Sequence, residues 1–382
     1  LIEQIDCFMR ISFVWILILL IPCAGIAQPK TKKEKKPLEA ALNTPARRAK
    51  NVILLIGDGM GLTQISSGLY NNNNALSLER FPSTGLQKNY ASDDLITDSA
   101  SAGTAMACGV KTKVGAIGVG KDNKPARSLM EEAEAKGMAT GMVVTSSLVD
   151  ATPSAFVAHV PSRDQKEDIA KSYLNIDIDF LVGGGKKYFT QRTSDDRDLA
   201  RELQEKGYVV SDYTESEIPK VTLDLKKNFA FFTAEEDPGK FQESRSYLLP
   251  ASRLGAVFLK SHNDKGFFLM VEGSQIDWGG HANDASYVVA EFLEFDRVIG
   301  SLLEFAMEDG ETLIIVTADH ETGGLAINPG SQMNNLLTEF NTNSHTGIMV
   351  PVFAYGPGAE LFSGIYDNTE INRRIKKALG WE

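Results

Sequence analysis

Acidic and imidazole side chains recur in this chain where short apolar runs stop. Asp58 follows Asn51–Ile56, Glu272 follows Phe267–Val271, and Asp319 and His320 follow Thr312–Val316. Thr145 to Asp150 follow the run at Met142, and His345 stands before the one at Pro351. Singly each has an ordinary explanation: Asp58 as turn chemistry in a glycine-rich loop, Asp319 as a helix cap. Their recurrence at the ends of several runs points to one shared site. The histidines sharpen the pattern. Of the five, three have acidic, glycine or hydroxyl neighbours, in Asp277-Trp-Gly-Gly-His281, Asp319-His320-Glu321 and Ser344-His345-Thr346. Imidazole with carboxylate is a donor set suited to zinc. Asp277 and His281 are four apart, so one helical turn places both on one face. His159 and His262 lack such company and are read as structural.

A nucleophile is signalled by Thr97-Asp98-Ser99-Ala-Ser-Ala-Gly103-Thr-Ala105. The small residues let a helix start tightly, with its free N–H groups aimed at an anion. A serine there can reach a bound phosphate, although such a serine is more often a helix cap. Its hydroxyl is a weak nucleophile until a cation stabilises the alkoxide. Arg163 is a candidate two-pronged phosphate clamp; a surface charge at a helix start explains it equally well.

The elements that must position these residues are legible as apolar runs. Asn51–Ile56, Met142–Thr145, Phe267–Val271, Thr312–Thr317 and Pro351–Tyr355 read as buried strands, with Phe229–Phe232 added from a more polar middle stretch, 186–262. Arg127–Lys136, Gln165–Leu174 and Ser286–Ala306 read as helices between them. This alternation predicts an α/β fold: a doubly wound, mostly parallel sheet with helices on both faces. In such sheets ligands bind beyond the carboxyl ends of the strands, where the acidic residues fall.

Residues 51–382 are read as one catalytic domain. Ahead of it, Met9-Arg10, the apolar run Ile11–Ile21 and the small residues to Ala27 describe an export signal, cleaved after Ala27. That run is too short for a membrane-spanning helix, so no transmembrane span is expected in the mature chain. The rival reading is a lipid anchor on Cys23, against which Pro22 argues. Residues 28–50, with eight Lys/Arg against two Glu, read as a basic flexible tether. The expected location is periplasmic or extracellular. Cys7 and Cys23 would leave with the signal, so Cys108 would remain alone as a buried apolar residue. A net charge of -11 argues against nucleic acid as a partner.

Together these residues resemble the alkaline phosphatase family, in nine segments that run in the family's order. They are Ile56-Gly-Asp-Gly-Met-Gly61, Thr97–Ala100, Gly109–Thr112, Asp150–Pro153, Ala158–Val160 with Arg163, Val271–Gly273, Ile276-Asp277 with His281, Thr317–Gly324 and His345-Thr346. The resemblance implies hydrolysis of phosphate monoesters through a phosphoserine on Ser99, with two zinc ions and one magnesium. It implies Asp277, His281 and His345 for one zinc, and Asp58, Asp319 and His320 for the other. Asp58, Thr152 and Glu272 would hold the magnesium, with Arg163 on the phosphate. Asp150 and Trp278 match positions near the third metal and the phosphate pocket that vary within the family. Trp278 stands where some relatives carry Lys or His, which implies altered phosphate affinity. The residues around the substrate are expected mainly from 186–262. A homodimer is one assembly open to the chain, but only 24 residues separate His320 from His345, so the insertion that larger relatives carry there must be small, which counts against the family's usual dimer interface. The alternative reading is a phosphodiesterase or sulfatase of the same superfamily, many of which use Thr or a modified Cys where this chain has Ser99. A non-catalytic phosphate- or metal-binding protein would be expected to lack the nucleophile or a ligand.

Overall fold

The computed structural model describes residues 48–381. The export signal, Cys7, Cys23 and the tether as far as residue 47 lie outside these residues. Residues 48–50 already belong to the folded body: Ala49 is buried and its N–H donates to the Ala378 carbonyl at 3.0 Å.

In chain order the strands are β1 (Asn51–Gly57), β2 (Ser83–Lys88), β3 (Ala139–Ser147), β4 (Phe180–Gly184), β5 (Val209–Asp212), β6 (Phe229–Phe232) and β7 (Phe267–Gly273). They continue as β8 (Thr312–Thr317), β9 (Glu321–Thr322), β10 (Leu325–Ile327), β11 (Thr338–Phe340), β12 (His345–Thr346), β13 (Val350–Tyr355) and β14 (Gly364–Asp367). The helices used below are α1 (Leu62–Tyr70), α2 (Ser99–Cys108), α3 (Leu129–Ala135), α4 (Ala151–Ser154), α5 (Leu248–His262), α6 (Gln275–His281), α7 (Ala285–Asp309) and α8 (Thr369–Leu379).

Ten strands form one sheet in the order β14-β2-β13-β8-β1-β7-β3-β4-β6-β5. Its strands run parallel except β13, which is antiparallel to both β8 and β2. The expected mostly parallel sheet is therefore present. Alternate residues of β1 feed opposite faces. Val52, Leu54 and Ile56 join Phe268 and Met270 in one core, and Ile53 and Leu55 join Leu269 and Val271 in the other. Met106 of α2, Leu129 of α3 and Ile371 of α8 pack on the first face, Phe258 of α5 and Phe292 of α7 on the second. Burial on both sides is why β1, β7 and β8 are unbroken apolar runs.

Helix α5 was not expected, because Pro250 and Gly255 interrupt its pattern. Pro250 sits in the first turn, where its missing N–H costs nothing. Gly255 backs onto Phe180, whose Cε1 would lie 2.9 Å from an added Cβ. Cys108 is buried in the first core, and burial pushes its thiol well above the usual range, as expected of a packing residue. His159 and His262 pair with Glu131 and Asp179, each at 2.9 Å, which suits a structural role for both. Among the described residues no helix is long and apolar enough to cross a membrane.

Candidate active site

The central strands deliver their acidic residues to one edge. Ile56 of β1 pairs with Glu272 of β7 and Thr317 of β8, so Asp58, Glu272 and Asp319 emerge side by side at the carboxyl ends. Asp277 and His281 lie on α6, directly after β7, as their spacing predicts. His345 arrives differently, on the two-residue strand β12, which pairs antiparallel with β9. Two groups of converging ligand atoms result: Asp58, Asp319 and His320, and Asp277, His320 and His345, the atoms of each lying within 4.8 Å of one another. His281 joins the second group, its Nε2 lying 3.3 Å from Asp277 Oδ2 and 3.1 Å from His345 Nε2.

Hydrogen bonds on the outer ring nitrogens fix which atoms face inward. His281 Nδ1 meets the Asn343 carbonyl at 2.7 Å and His345 Nδ1 the Thr97 carbonyl at 2.9 Å. A carbonyl only accepts, so each Nδ1 carries the proton and each Nε2 presents a lone pair. Thr322 Oγ1 donates to Asp277 and lies 3.2 Å from His320 Nδ1, whose N–H it accepts. His320 Nε2 is therefore also bare, 3.1 Å from Asp319 Oδ2 and 3.4 Å from Asp58 Oδ1. Lone pairs facing lone pairs at such distances require a cation between them, or a proton.

The buried carboxylates carry the same imprint. Asp58 Oδ1, Asp319 Oδ2, both oxygens of Glu272 and Thr152 Oγ1 are buried without a hydrogen-bond donor. Burial, then the charges of Asp319, Asp277 and Glu272, pushes the Asp58 carboxyl far above its usual range. Burial, then Asp150, does the same to Glu272, and burial then Asp277 lifts Asp319 to about 6. Burial acts on Asp277 as well, but the His281 bond and the neighbouring imidazoles hold it down to about 2. The Asp277 hydrogen bond, despite partial burial, raises His281 to about 9. So many unpartnered buried oxygens in a native fold call for bound cations.

Ser99 opens α2, behind the N-cap Asp98, and its Oγ lies 3.2 Å from His320 Nε2. The α2 residues are all buried and, Met106 apart, small; Gly103 backs onto Ala155 of the segment after α4, where an added Cβ would lie 3.2 Å from the Ala155 Cβ. Arg163 reaches Asp98 at 3.3 Å and Asp150 at 3.2 Å, so its guanidinium is held between two carboxylates beside Ser99. Asp98 was not among the residues singled out for a role; it caps α2, accepts the Gly115 N–H at 3.1 Å and grips Arg163. Trp278 is half-buried on α6 and does not line the cavity that holds Ser99.

That cavity, of about 560 Å³, is lined by Ser99, Arg163, Asp277, His281 and His345 and closed by loop residues around 94–98, 114 and 344. Among the described residues none of 186–262 lines it, contrary to the expectation that the residues around the substrate come mainly from this stretch. The stretch builds a separate cavity of about 520 Å³ around Tyr213, Arg245 and Tyr247. Loops converging from several strands, each short and without periodicity, give no signal by which sequence could have found the wall.

The glycine-rich turn after β1 is a cradle. Gly59 has φ +69° and lies so close to α6 that a Cβ would come within 2.7 Å of Asp277 Cα. A Cβ on Gly61 would overlap Glu321, whose buried carboxylate accepts from Gln64 Nε2 (2.6 Å), Gly324 N (3.2 Å), Leu325 N (3.3 Å) and Thr346 Oγ1. Gly61→Ala is expected to destabilise the fold by about 1–3 kcal/mol, the usual cost of forcing atoms into a packed site. A denaturant midpoint equal to wild type would contradict this account of the turn.

Comparison with known proteins agrees with this arrangement. The alkaline phosphatase family model matches residues 49–342 and 334–381. Alkaline phosphatase 4 of Bacillus subtilis (strain 168) is 34% identical over 413 residues, spanning 86% of this chain and 88% of that one. The alkaline phosphatase of the Antarctic bacterium TAB5 is 41% identical in its solved structure, with a TM-score of 0.83 over 88% of this chain and 100% of that one. A variant of it with Mg bound in its M3 site is 40% identical at a TM-score of 0.83, again over 88% and 100%. With a family model running almost from end to end of the folded body, the chain belongs to the alkaline phosphatase family, enzymes that hydrolyse phosphate monoesters.

Proposed function

We propose that the chain is an exported, metal-dependent phosphatase in which Ser99 attacks the phosphorus of a monoester, forming a phosphoserine that water then hydrolyses. The observation that carries this reading is the set of bare lone pairs around Ser99: His320 Nε2, Asp58 Oδ1 and Asp319 Oδ2 on one side, His281 and His345 Nε2 with Asp277 on the other. The nitrogen-rich set, Asp277, His281 and His345, suits one zinc, and Asp58, Asp319 and His320 suit a second. Asp58, Thr152 and Glu272 offer only oxygen and suit magnesium. When bound, these cations would lower the pKa of the attacking hydroxyl, neutralise the ester and stabilise the leaving oxygen.

The chain's own residues do the positioning. α2 aims its first N–H groups at the phosphoryl oxygens and holds Ser99 in line with the cavity, while burial of the serine, 4% exposed, keeps bulk water off its side. Arg163 presents a planar fork, pre-set by Asp98 and Asp150, to two oxygens of the ester. Arg163→Lys keeps the charge and loses the fork, so KM for a phosphate monoester is expected to rise about tenfold with a smaller change in kcat. An unchanged KM would remove the clamp role. The leader-like residues 1–27 support export to the periplasm or beyond.

The test of the whole reading is a panel of esters assayed with zinc and magnesium present. A phosphate monoester should be turned over far faster than a diester or a sulfate ester at alkaline pH, and a chelator should abolish turnover. Preference for the diester or the sulfate would overturn it.

A further inference from the structure

The cavity over Ser99 is polar at its floor and apolar at its mouth. Ile96 and Val114 line it, and they are 39% and 44% exposed. Of the exposed large apolar side chains among the described residues, these two are the ones that line the site, and the loops that carry them are firmly tied. The Val114 N–H donates to Asp93 Oδ1 at 3.0 Å and the Ser92 N–H to the Thr112 carbonyl at 2.8 Å, joining loop 92–96 to loop 112–115. Lys111 Nζ grips the Tyr90 carbonyl at 2.6 Å at the foot of the same pair. Across the mouth, Gly347 backs onto Ile96, whose Cδ1 would lie 3.0 Å from an added Cβ. Leu95 and Ile348, the chain neighbours of the two residues in that contact, are exposed as well. Asp94 also lines the cavity, its carboxylate fixed by the Ile96 N–H at 2.9 Å.

Resting on the reading of Ser99 as nucleophile, we infer that this wall selects the leaving group: Ile96 and Val114 favour esters of apolar or aromatic alcohols, and Asp94 disfavours alcohols that carry negative charge. With the phosphoryl group on Ser99 and Arg163, the alcohol must leave through the mouth, past these three side chains. A ring laid on Ile96 and Val114 removes apolar surface from water on both partners, enough for about a tenfold preference over a polyol of similar size. Asp94 acts through water, so its discrimination is about twofold to threefold and fades with added salt.

The experiment compares kcat/KM for benzyl phosphate, glycerol phosphate and 3-phosphoglycerate on the metal-loaded full chain. All are alkyl esters, so the leaving oxygens are of like basicity and the ratios report on the wall. Wild type should prefer benzyl to glycerol phosphate about tenfold. Ile96→Asn and Val114→Asn should each lower that ratio threefold or more, and Asp94→Asn should raise 3-phosphoglycerate relative to glycerol phosphate at low salt. Both apolar positions are part-exposed, and thermal melting checks that the variants fold. Equal use of benzyl and glycerol phosphate by wild type overturns the inference while leaving the phosphatase reading standing. So does an Ile96→Asn variant that dissociates a dimer in sedimentation and keeps the wild-type ratio, since the rim would then be a subunit contact. Turnover of no ester at all overturns the reading of Ser99 beneath it.

Discussion

Ser99→Ala is expected to lower kcat for a phosphate monoester by about 10³-fold or more, with the fold intact. Ser99 is buried at the first turn of α2, and deleting its Oγ removes one atom that only faces the cavity and His320 Nε2, 3.2 Å away. Asp98 keeps its cap bond to Ser101 and its contact with Arg163, so the phosphate site should survive. KM is therefore expected to change far less than kcat. Some turnover should persist, because a water molecule can enter the space of the lost hydroxyl. Acid quenching of wild type during turnover of a labelled monoester should trap the label on Ser99, and the variant should trap none. Label on another residue, or a variant with wild-type kcat, would remove the serine from the chemistry.

Removing metal is expected to abolish activity and to lower the melting temperature by on the order of 10 °C, a loss that grows as pH rises. Ligands that bind only the native state add a few kcal/mol each, and a chain of this size shifts roughly 1–2 °C per kcal/mol. The pH sense follows from which protons stand in for the cations. His281 is raised to about 9 from 6.5, so in the metal-free protein its stabilising proton is fully present below 6.5 and lost as pH rises through 9. Asp58 and Glu272 are raised far above their usual values, and they too bind protons in the native state that the unfolded chain has released. His281 therefore lowers stability with rising pH between about 6.5 and 9, and the raised Asp58 and Glu272 carboxyls act in the same sense above their ordinary range. His320, which burial first of all holds neutral, works the opposite way only below 6.5. Metal competes with those same protons, so the gap between loaded and chelated protein should be wider at pH 9 than at 6.5. A gap that stays constant or narrows across that range would show that these groups do not share a cation site.

How far the sequence discloses this arrangement depends on what makes each part. β1, β7 and β8 are buried on both faces, so they are largely continuous apolar runs, and the residues at or just past their ends, Asp58, Glu272, Asp319 and His320, could be singled out directly. Strands β2 and β5 lie near or at the edges of the sheet and are half-exposed, so Ser83–Lys88 and Val209–Asp212 have no run to read. His345 sits on a strand of two residues whose existence depends on pairing with β9, a contact no local pattern encodes. The setting of Arg163 depends on Asp98, distant in the chain, as well as Asp150. The cavity wall is harder still. Asp94, Ile96 and Val114 come from loops joined by long-range hydrogen bonds, and the stretch 186–262, from which the residues around the substrate were expected, lines a separate cavity instead.

The place of β1 in the sheet has a consequence for how the molecule is made. Its neighbours on either side are β7 and β8, which begin at residues 267 and 312. A polypeptide growing from its amino end therefore displays Val52–Ile56 with no partner until about seven-tenths of it has been synthesised, and with only one until about four-fifths has. Such long-range pairing makes folding slow, and the orphaned strand is open to association with other chains. A nascent chain cut short before residue 312 would keep one side of β1 unpaired and should aggregate rather than fold. The same delay keeps the centre of the sheet unformed for most of synthesis, so the native fold is within reach only once nearly the whole chain is available.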